Sequence, residues 1–384
     1  MTSEHPQGRA APSPPPVGVK QSGGAASASE ALPRGPRWTS VDALRGLAVA
    51  AMLLVNNPGD WDHVWAPLRH APWHGFTPTD FIFPLFLFIV GVSLTLAIEP
   101  ALERGANPAL LRRQMLMRAL RIVLLGLALH ALAWWWLDRP HFRPMGVLQR
   151  IGLCVALAVP LALHARARTQ WLLAAALLLL WWALLAGDLA KGSNLADRVD
   201  TALLGPLAYQ FDAARGIGHD PEGLASTLGA LATTLLGLRA GAWLRRGQRA
   251  RLGGAALALL ALGGLLAPEL PLNKALWTSS FVLVTGGLSM AVLWLAHEAV
   301  DRRGLPALGR SFGVNALAVY AGGWVMEVAL AASPAAQAAT RSALDWLSPR
   351  IGAEAASFAY ALLFTLLWWG VARVLLARGI RIRL

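Results

Sequence analysis

Long apolar segments recur along most of the chain, and short polar loops separate them. Because a helix needs about 20 apolar residues to cross a hydrocarbon layer of about 30 Å, about ten segments are long enough to span a membrane. The predicted spans are 41–58, 78–98, 115–137, 145–164, 170–189, 223–243, 252–268, 277–297, 312–332 and 355–377. The pattern predicts an all-α polytopic membrane protein with about ten transmembrane helices.

Basic residues are concentrated in the loops that follow even-numbered spans. These loops include RRQMLMRALR after the second span, RRGQRAR after the sixth and ARGIRIR after the tenth. With both termini in the cytoplasm, roughly 24 of the 34 Lys and Arg residues lie on the cytoplasmic side, as the positive-inside rule requires. We therefore predict that the loop carrying His70 and the segment 189–222 lie on the opposite side.

Composition and charge agree with this interpretation. The chain is 56% hydrophobic and 14% charged, which excludes an ordinary soluble protein. The net charge of +13 comes from the basic residues of the cytoplasmic loops, so it does not indicate nucleic acid as a partner. Membrane lipid is the predicted partner of the apolar spans. Residues 1–37 are rich in Pro, Ala, Ser and Gly and are predicted to be a disordered cytoplasmic tail. Residues 38–384 are predicted to form one transmembrane domain.

Two histidines and an aspartate lie at the head of the second span, in LRHAPWHGFTPTDFIFPLFLFIVG. Thr77 as N-cap, Pro78 at the first helical position and Asp80 three residues after the cap are typical of a helix start. An acid fixed there can also orient a nearby imidazole, as the third member of a catalytic triad does. The two roles of Asp80 are compatible. By spacing alone, the pattern around His70 is more typical of an ordinary interface histidine than of a catalytic one.

Further polar residues lie in or beside other spans, where polar groups are costly and tend to line a cavity. Asp42 and Arg45 are three residues apart and are expected to pair at the cytoplasmic end of the first span. Asn56 and Asn57 lie at the opposite end of this span. Asn315 is placed near the cytoplasmic side. The other polar positions open to the outer side and predict a polar outer vestibule: Gln149, Arg150, Asp220, Glu222, Asn273, Lys274 and Trp277. A carrier and a transmembrane group-transfer enzyme would both use such a vestibule.

Several common site types have no motif in the chain. His63, His70 and His74 lack a regular metal-ligand spacing, and Cys154 is the single cysteine, so no metal site is predicted. A phosphate-binding glycine loop and a GxSxG nucleophile elbow are also absent.

Six motifs in order resemble the family of heparan-α-glucosaminide N-acetyltransferase and its bacterial relatives, in the transmembrane acyltransferase superfamily. They are RWTSVDALRGLAVAAMLLVNNPG, HAPWHGFTPTDFIFPLFLFIVGVS, GVLQRIGL, HDPEGLASTLGALATTLLGLRAG, PLNKALWTSSFVL and GVNALAVY. One departure is FRPMGVLQR, where the family pattern reads nearer to Arg-Ile-Pro-Gly before Val-Leu-Gln-Arg.

The resemblance implies transfer of acetyl from cytosolic acetyl-CoA to the amine of glucosamine or of a glucosamine-ended glycan. It implies His70 as the active-site histidine, with Asn56 and Asp80 as its catalytic partners. We expect Arg45 and Asn315 to bind acetyl-CoA and the seven vestibule residues to bind the acceptor. The resemblance also implies the bacterial inner membrane, with His70 on the periplasmic side, and a homodimer like that of the animal member.

Imidazole suits this chemistry because thioester aminolysis needs a base whose pKa lies near working pH. An amide such as that of Asn56 can hold the thioester carbonyl or the developing oxyanion. A ternary complex with His70 as general base and a ping-pong route through acetyl-imidazole are both compatible with the residues, and we favour the ternary complex. Two other functions are also compatible with the sequence, an O-acyltransferase of an envelope glycan and an amino-sugar transporter.

Overall fold

The computed structural model describes Thr2 and residues 38–382. The predicted disordered tail therefore lies outside the described residues, except for Thr2. Residues 38–382 contain 13 α-helices and one two-stranded sheet. The helices and strands are α1 (Thr39–Asn56), α2 (Pro78–Glu103), α3 (Pro108–Trp136), α4 (Val147–His164), α5 (Ala167–Leu185), α6 (Leu195–Leu203), β1 (Gln210–Asp212), β2 (Ile217–His219), α7 (Thr227–Arg245), α8 (Arg249–Leu266), α9 (Ser279–Ala296), α10 (Arg310–Val314), α11 (Ala316–Ala332), α12 (Pro334–Ile351) and α13 (Ala353–Ala377).

Every predicted span coincides with a helix, and the all-α polytopic membrane fold is confirmed. Among the described residues, eight helices are long and apolar enough to cross a membrane: α1, α2, α3, α4, α5, α8, α9 with its extension to Arg302, and α13. A ninth span results if α11 and α12, which meet at an angle of 90°, are counted together.

The sixth predicted span, 223–243, corresponds to α7, which is not among the eight apolar helices. This helix contains Arg239 and several Thr and Gly residues, and 16 of its 19 residues are buried. Because its neighbours surround it, α7 does not need an apolar surface toward lipid. By length and apolarity alone, the described residues therefore contain eight or nine spans, fewer than the ten that the sequence pattern predicted.

Helices α2 and α7 approach each other closely, and this packing sets the position of Asp80 at the head of α2. A Cβ atom on Gly91 would lie 2.1 Å from the Thr234 carbonyl oxygen, and one on Gly237 would lie 2.1 Å from the Phe88 carbonyl oxygen. Such contacts are typical of membrane helices that pack through small residues. Gly237 lies against Phe88, and Gly241, one turn later on α7, lies against Val92, one turn later on α2. The contacts therefore advance in the same direction along both helices, and α2 and α7 run parallel. Their N-terminal ends, with Asp80 and the segment before α7, therefore lie on the same side.

The segment between α5 and α7 contains α6 and a hairpin in which β1 and β2 pair antiparallel, with Phe211 opposite Gly218. Its core is the buried carboxylate of Asp197, which accepts hydrogen bonds from Asn194 Nδ2 at 2.7 Å and the Gly192 amide at 2.6 Å. His219 Nδ1 lies 2.5 Å from the other oxygen of Asp197. Trp73 of the His70 loop donates a hydrogen bond to the Leu189 carbonyl at 2.8 Å. This contact joins the segment to the loop before α2.

Candidate active site

Asp80 occupies the head of α2 and is almost fully buried, at 1% exposure. The Thr77 hydroxyl accepts a hydrogen bond from the Asp80 amide at 3.3 Å, and the Asp80 carboxylate accepts one from the Thr77 amide at 3.1 Å. These reciprocal bonds form a capping box, so the predicted helix start is confirmed. The same carboxylate accepts a hydrogen bond from the Ala71 amide at 3.1 Å, which fixes the loop next to His70.

The His70 imidazole lies against this carboxylate, with Nδ1 2.7 Å from Asp80 Oδ1. Because an ionised carboxylate can only accept hydrogen bonds, this contact assigns the proton of the neutral ring to Nδ1. The Nε2 lone pair is then available as a base. About half of the His70 side chain is exposed, 48%, so the base is accessible from outside the protein.

Lys274 is the residue nearest to that lone pair in the described hydrogen-bond network. Its Nζ lies 3.1 Å from His70 Nε2 and 3.3 Å from Nδ1. Removal from water lowers the pKa of Lys274 below its ordinary value, although the carboxylates of Glu222 and Asp80 oppose this effect. The geometry therefore places a primary amine beside a histidine base.

Arg143, Asp220 and Glu222 form a largely buried group of ion pairs. Arg143 donates through Nε and Nη2 to the two oxygens of Asp220, at 2.9 and 2.6 Å, and through Nη2 to Glu222 Oε2 at 2.6 Å. Burial acts to raise the pKa of Glu222, but the Arg143 and Arg150 guanidinium groups outweigh it and hold that pKa below its ordinary value. The Tyr209 ring packs against the Arg143 guanidinium, whose carbon lies 4.3 Å from the ring centroid.

Arg143 was not among the residues that the sequence predicted. It lies in FRPMGVLQR, the stretch that departs from the family pattern. The available signal was Asp220 and Glu222, because two acids in a segment that becomes buried require a cation nearby. Only the folded chain shows which arginine supplies it.

Arg150 and Trp277 belong to the seven residues predicted to bind the acceptor, which are called the outer cluster below, and both are fully buried. Arg150 donates through Nη2 to the Gly223 carbonyl at 2.9 Å and to the Ser226 hydroxyl, and its guanidinium lies 5.1 Å from the Trp277 ring centroid. Its Nε and Nη1 have no hydrogen-bond partner among the described residues. Trp277 has a positive φ of 53°, a conformation that costs free energy and that occurs preferentially at functional sites.

Gln149 and Asn273 extend the cluster on either side. Gln149 Nε2 lies 3.4 Å from His130 Nδ1, and Gln149 Oε1 is buried without a partner among the described residues. Asn273 Nδ2 lies 3.4 Å from His74 Nδ1, while its oxygen accepts a hydrogen bond from the Leu276 amide at 2.8 Å. Of the seven predicted acceptor residues, Lys274 contacts His70 directly, Asn273 contacts His74 of the same loop, and Arg150 packs against Trp277.

Asn56 has no hydrogen bond to His70 or Asp80 in the described network. Its exposed side chain lines a cavity of about 10 Å³, enough for one water-sized group, together with Tyr320, Trp324 and Glu327. Asn57 takes the helix-ending role and donates to the Leu53 carbonyl at 2.7 Å.

Glu327 is a second residue that the sequence analysis missed. An acidic residue inside the apolar span α11 was the signal, because such residues commonly mark functional sites.

The residues predicted to bind acetyl-CoA, Arg45 and Asn315, lie near the N-terminal end of α1, opposite Asn56. Asp42 and Arg45 pair at 3.3 Å, as predicted, and Arg45 also donates to the Gly313 carbonyl at 3.1 Å. The side-chain amide of Asn315 binds the segment after α13 through both of its polar atoms. Its nitrogen donates to the Ile380 carbonyl at 3.0 Å, and its oxygen accepts from the Ile382 amide at 2.9 Å.

A larger cavity, about 480 Å³, lies beside the start of α1. Trp38, Asp301 and Arg310 are among the residues that line it. Within residues 38–382, no group of three or more His, Cys, Asp or Glu side chains is placed to hold a metal ion.

Comparison with known proteins gives one family match and two curated relatives. Residues 37–212 match the family model described as heparan-alpha-glucosaminide N-acetyltransferase, catalytic. The human heparan-alpha-glucosaminide N-acetyltransferase is 29% identical over 368 residues, which cover 77% of this chain and 54% of the human protein. The mouse protein of the same name is 27% identical over 361 residues, 76% of this chain and 54% of its own length. The chain therefore spans about half the length of these relatives. These matches confirm the resemblance that the motifs indicated.

Proposed function

Because the chain is similar to heparan-α-glucosaminide N-acetyltransferases over most of its length, we propose that it is a transmembrane N-acetyltransferase of glucosaminides. In this proposal, acetyl passes from cytosolic acetyl-CoA to the amine of glucosamine or of a glucosamine-ended glycan. One observation supports it above the others. His70 Nδ1 is held by the buried Asp80 carboxylate, while Nε2 faces the primary amine of Lys274 at hydrogen-bond distance.

The proposed chemistry uses His70 as general base in a ternary complex. The acceptor amine attacks the thioester carbonyl, its proton passes to His70 Nε2, and the departing thiolate takes up a proton from the imidazolium. Asp80 keeps the ring in the reactive tautomer and stabilises the imidazolium that forms. General base catalysis of this kind contributes about 10²- to 10⁴-fold in rate.

Asn56 is proposed to hold the thioester carbonyl and its developing negative charge. Its side chain makes no hydrogen bond to a described residue, so the amide is free to donate. Removing one such donor costs about 10²- to 10³-fold in kcat in other acyl-transfer enzymes. In this role, the cavity lined by Asn56, Tyr320 and Trp324 borders the reacting carbonyl.

The donor is proposed to enter from the end of α1 opposite Asn56, about 27 Å away for an 18-residue helix. Arg45 supplies positive charge there, and the cavity beside Trp38 and Arg310 offers an aromatic ring and a second guanidinium for a nucleotide. Asn315 contributes by holding residues 380–382, among which is Arg381.

The acceptor is proposed to bind in the outer cluster. Asp220 and Glu222 are proposed to hold Arg143 in position at this site, and Trp277 with Arg150 forms its inner wall. Gln149, Asn273 and Lys274 supply further polar groups. We propose that this face is periplasmic in a bacterial inner membrane, and that the protein forms a homodimer.

The test is transfer of label from radioactive acetyl-CoA to glucosamine by the purified protein in detergent. His70→Ala is expected to abolish labelled N-acetylglucosamine. His63→Ala is the matched control, because His63 Nδ1 also lies 2.7 Å from a carboxylate, that of Asp60, and is also 48% exposed. This control variant should retain activity.

Two other outcomes would redirect the proposal. Label transferred by a His70-dependent route to a hydroxyl, and not to an amine, would identify an O-acyltransferase. A protein that moves glucosamine across a vesicle membrane but does not bind acetyl-CoA would be a transporter.

A further inference from the structure

Lysine is rare in this chain. Of the 34 Lys and Arg residues, only Lys20, Lys191 and Lys274 are lysines. Arginine is effectively always protonated in proteins, whereas a lysine amine can lose its proton and act as a nucleophile. The single lysine of the outer cluster lies beside the predicted base, so a reactive amine occurs where the chain otherwise uses arginine.

The position of Lys274 reproduces the arrangement required of the acceptor. An amine substrate must place its nitrogen within hydrogen-bond reach of the base, about 2.6–3.2 Å. Lys274 Nζ lies 3.1 Å from His70 Nε2 and meets that requirement in the absence of any substrate. The amine of Lys274 therefore occupies the place of the acceptor amine relative to His70.

The charges around Lys274 affect how easily it loses its proton. Removal from water and the positive charge of Arg150 lower the pKa of Lys274, while Glu222 and Asp80 raise it, and the balance lies below the ordinary value. A larger fraction of neutral amine is present at a given pH than for a fully exposed lysine, so this amine is the more reactive one.

We propose that Lys274 is a self-acetylation site of this protein. The proposal rests on the proposed function, because it requires an acetyl thioester at His70. Lys274 Nζ attacks the thioester carbonyl, a C–N bond forms and the C–S bond breaks. The proton of the amine passes to His70 Nε2 and then to the departing thiolate. The products are Nε-acetyl-lysine and free thiol, without any oxidant or reductant.

The modification would change the site in two ways. Acetylation removes the positive charge that faces Glu222 and Asp80, and the acetamide fills the space next to His70 Nε2. Because an amide is a poor acyl donor, the acetyl group stays on Lys274. Self-acetylation therefore slows later turnovers, and it occurs fastest when the acceptor is absent.

The test incubates the purified full-length protein with acetyl-CoA and no acceptor, followed by peptide mass spectrometry of all three lysines. Lys274 is expected to be acetylated about 10²-fold faster than the exposed Lys191, the difference that general base catalysis supplies. His70→Ala should reduce the rate at Lys274 to that at Lys191, and added glucosamine should slow the modification. Lys191→Arg should leave it unchanged, and Lys274→Arg should abolish the His70-dependent incorporation.

The outcomes separate this proposal from the proposed function. Acetyl transfer to glucosamine with Lys274 modified no faster than Lys191 would overturn self-acetylation and leave the enzyme assignment intact. Modification of Lys274 at the same rate in His70→Ala would also overturn it, because the reaction would then be uncatalysed. His70-dependent modification of Lys274 without transfer to glucosamine would support it and contradict the proposed acceptor.

Discussion

Asp80 Oδ1 lies 2.7 Å from His70 Nδ1, while Oδ2 of the same carboxylate accepts from the Thr77 and Ala71 amides. One buried acid therefore starts α2 and orients the imidazole. A carboxylate is required for all of these contacts, because every partner donates.

Asp80→Asn should reduce kcat by about 10²- to 10⁴-fold, because an amide nitrogen in place of one oxygen favours the wrong imidazole tautomer or loses the contact. Steady-state kinetics measure this effect. Thr77→Ala is the control for the helix cap. It should cost about 1 kcal/mol of stability while leaving the contact between His70 and Asp80 in place. An equal loss of kcat in both variants would show that Asp80 acts only through the cap.

Arg143 compensates two buried carboxylates at the same time. Arg143→Gln should lower the free energy of unfolding by about 3–5 kcal/mol, because Asp220 and Glu222 would remain buried without their cation. Thermal unfolding in detergent measures the change. Arg112→Gln, at an exposed position near the start of α3, should stay within about 0.5 kcal/mol of the parent protein. If both variants were equally stable, the ion pairs would not contribute to stability.

Asp200 should make stability depend on pH. Burial raises the pKa of this carboxyl group from 3.8 to about 6, so the folded protein binds a proton more tightly than the unfolded chain. The contribution of Asp200 is therefore fully present below about pH 4 and is lost as the pH rises through about 6.

Asp200→Asn cannot ionise, so it should raise Tm relative to the parent protein by a few degrees at about pH 7.5 and change it little at about pH 4. Unfolding scans across this range measure the difference between the two proteins. Asp212→Asn, at an exposed position of the same segment between α5 and α7, should leave the pH dependence unchanged. A constant Tm difference between the Asp200 variant and the parent across the range would contradict the raised pKa.

Much of the fold could be predicted from the sequence because membrane-spanning helices depend mainly on local properties. Apolar length and the absence of water set the positions of the spans, and all ten predicted spans coincide with helices. The capping box at Thr77 and Asp80 and the pair of Asp42 and Arg45 were also predictable, because their members lie three residues apart.

The sequence by itself therefore determined the class of fold, the helices, and the family resemblance through motifs that surround His70. Only the tertiary structure decided which distant residues meet: Lys274 with His70, and Arg143 with Asp220 and Glu222. It also placed Asn56 and Glu327 on the wall of one cavity. The physical reason is that hydrogen bonds and ion pairs act over a few ångströms. Residues far apart in the chain come within that range only when the helices pack.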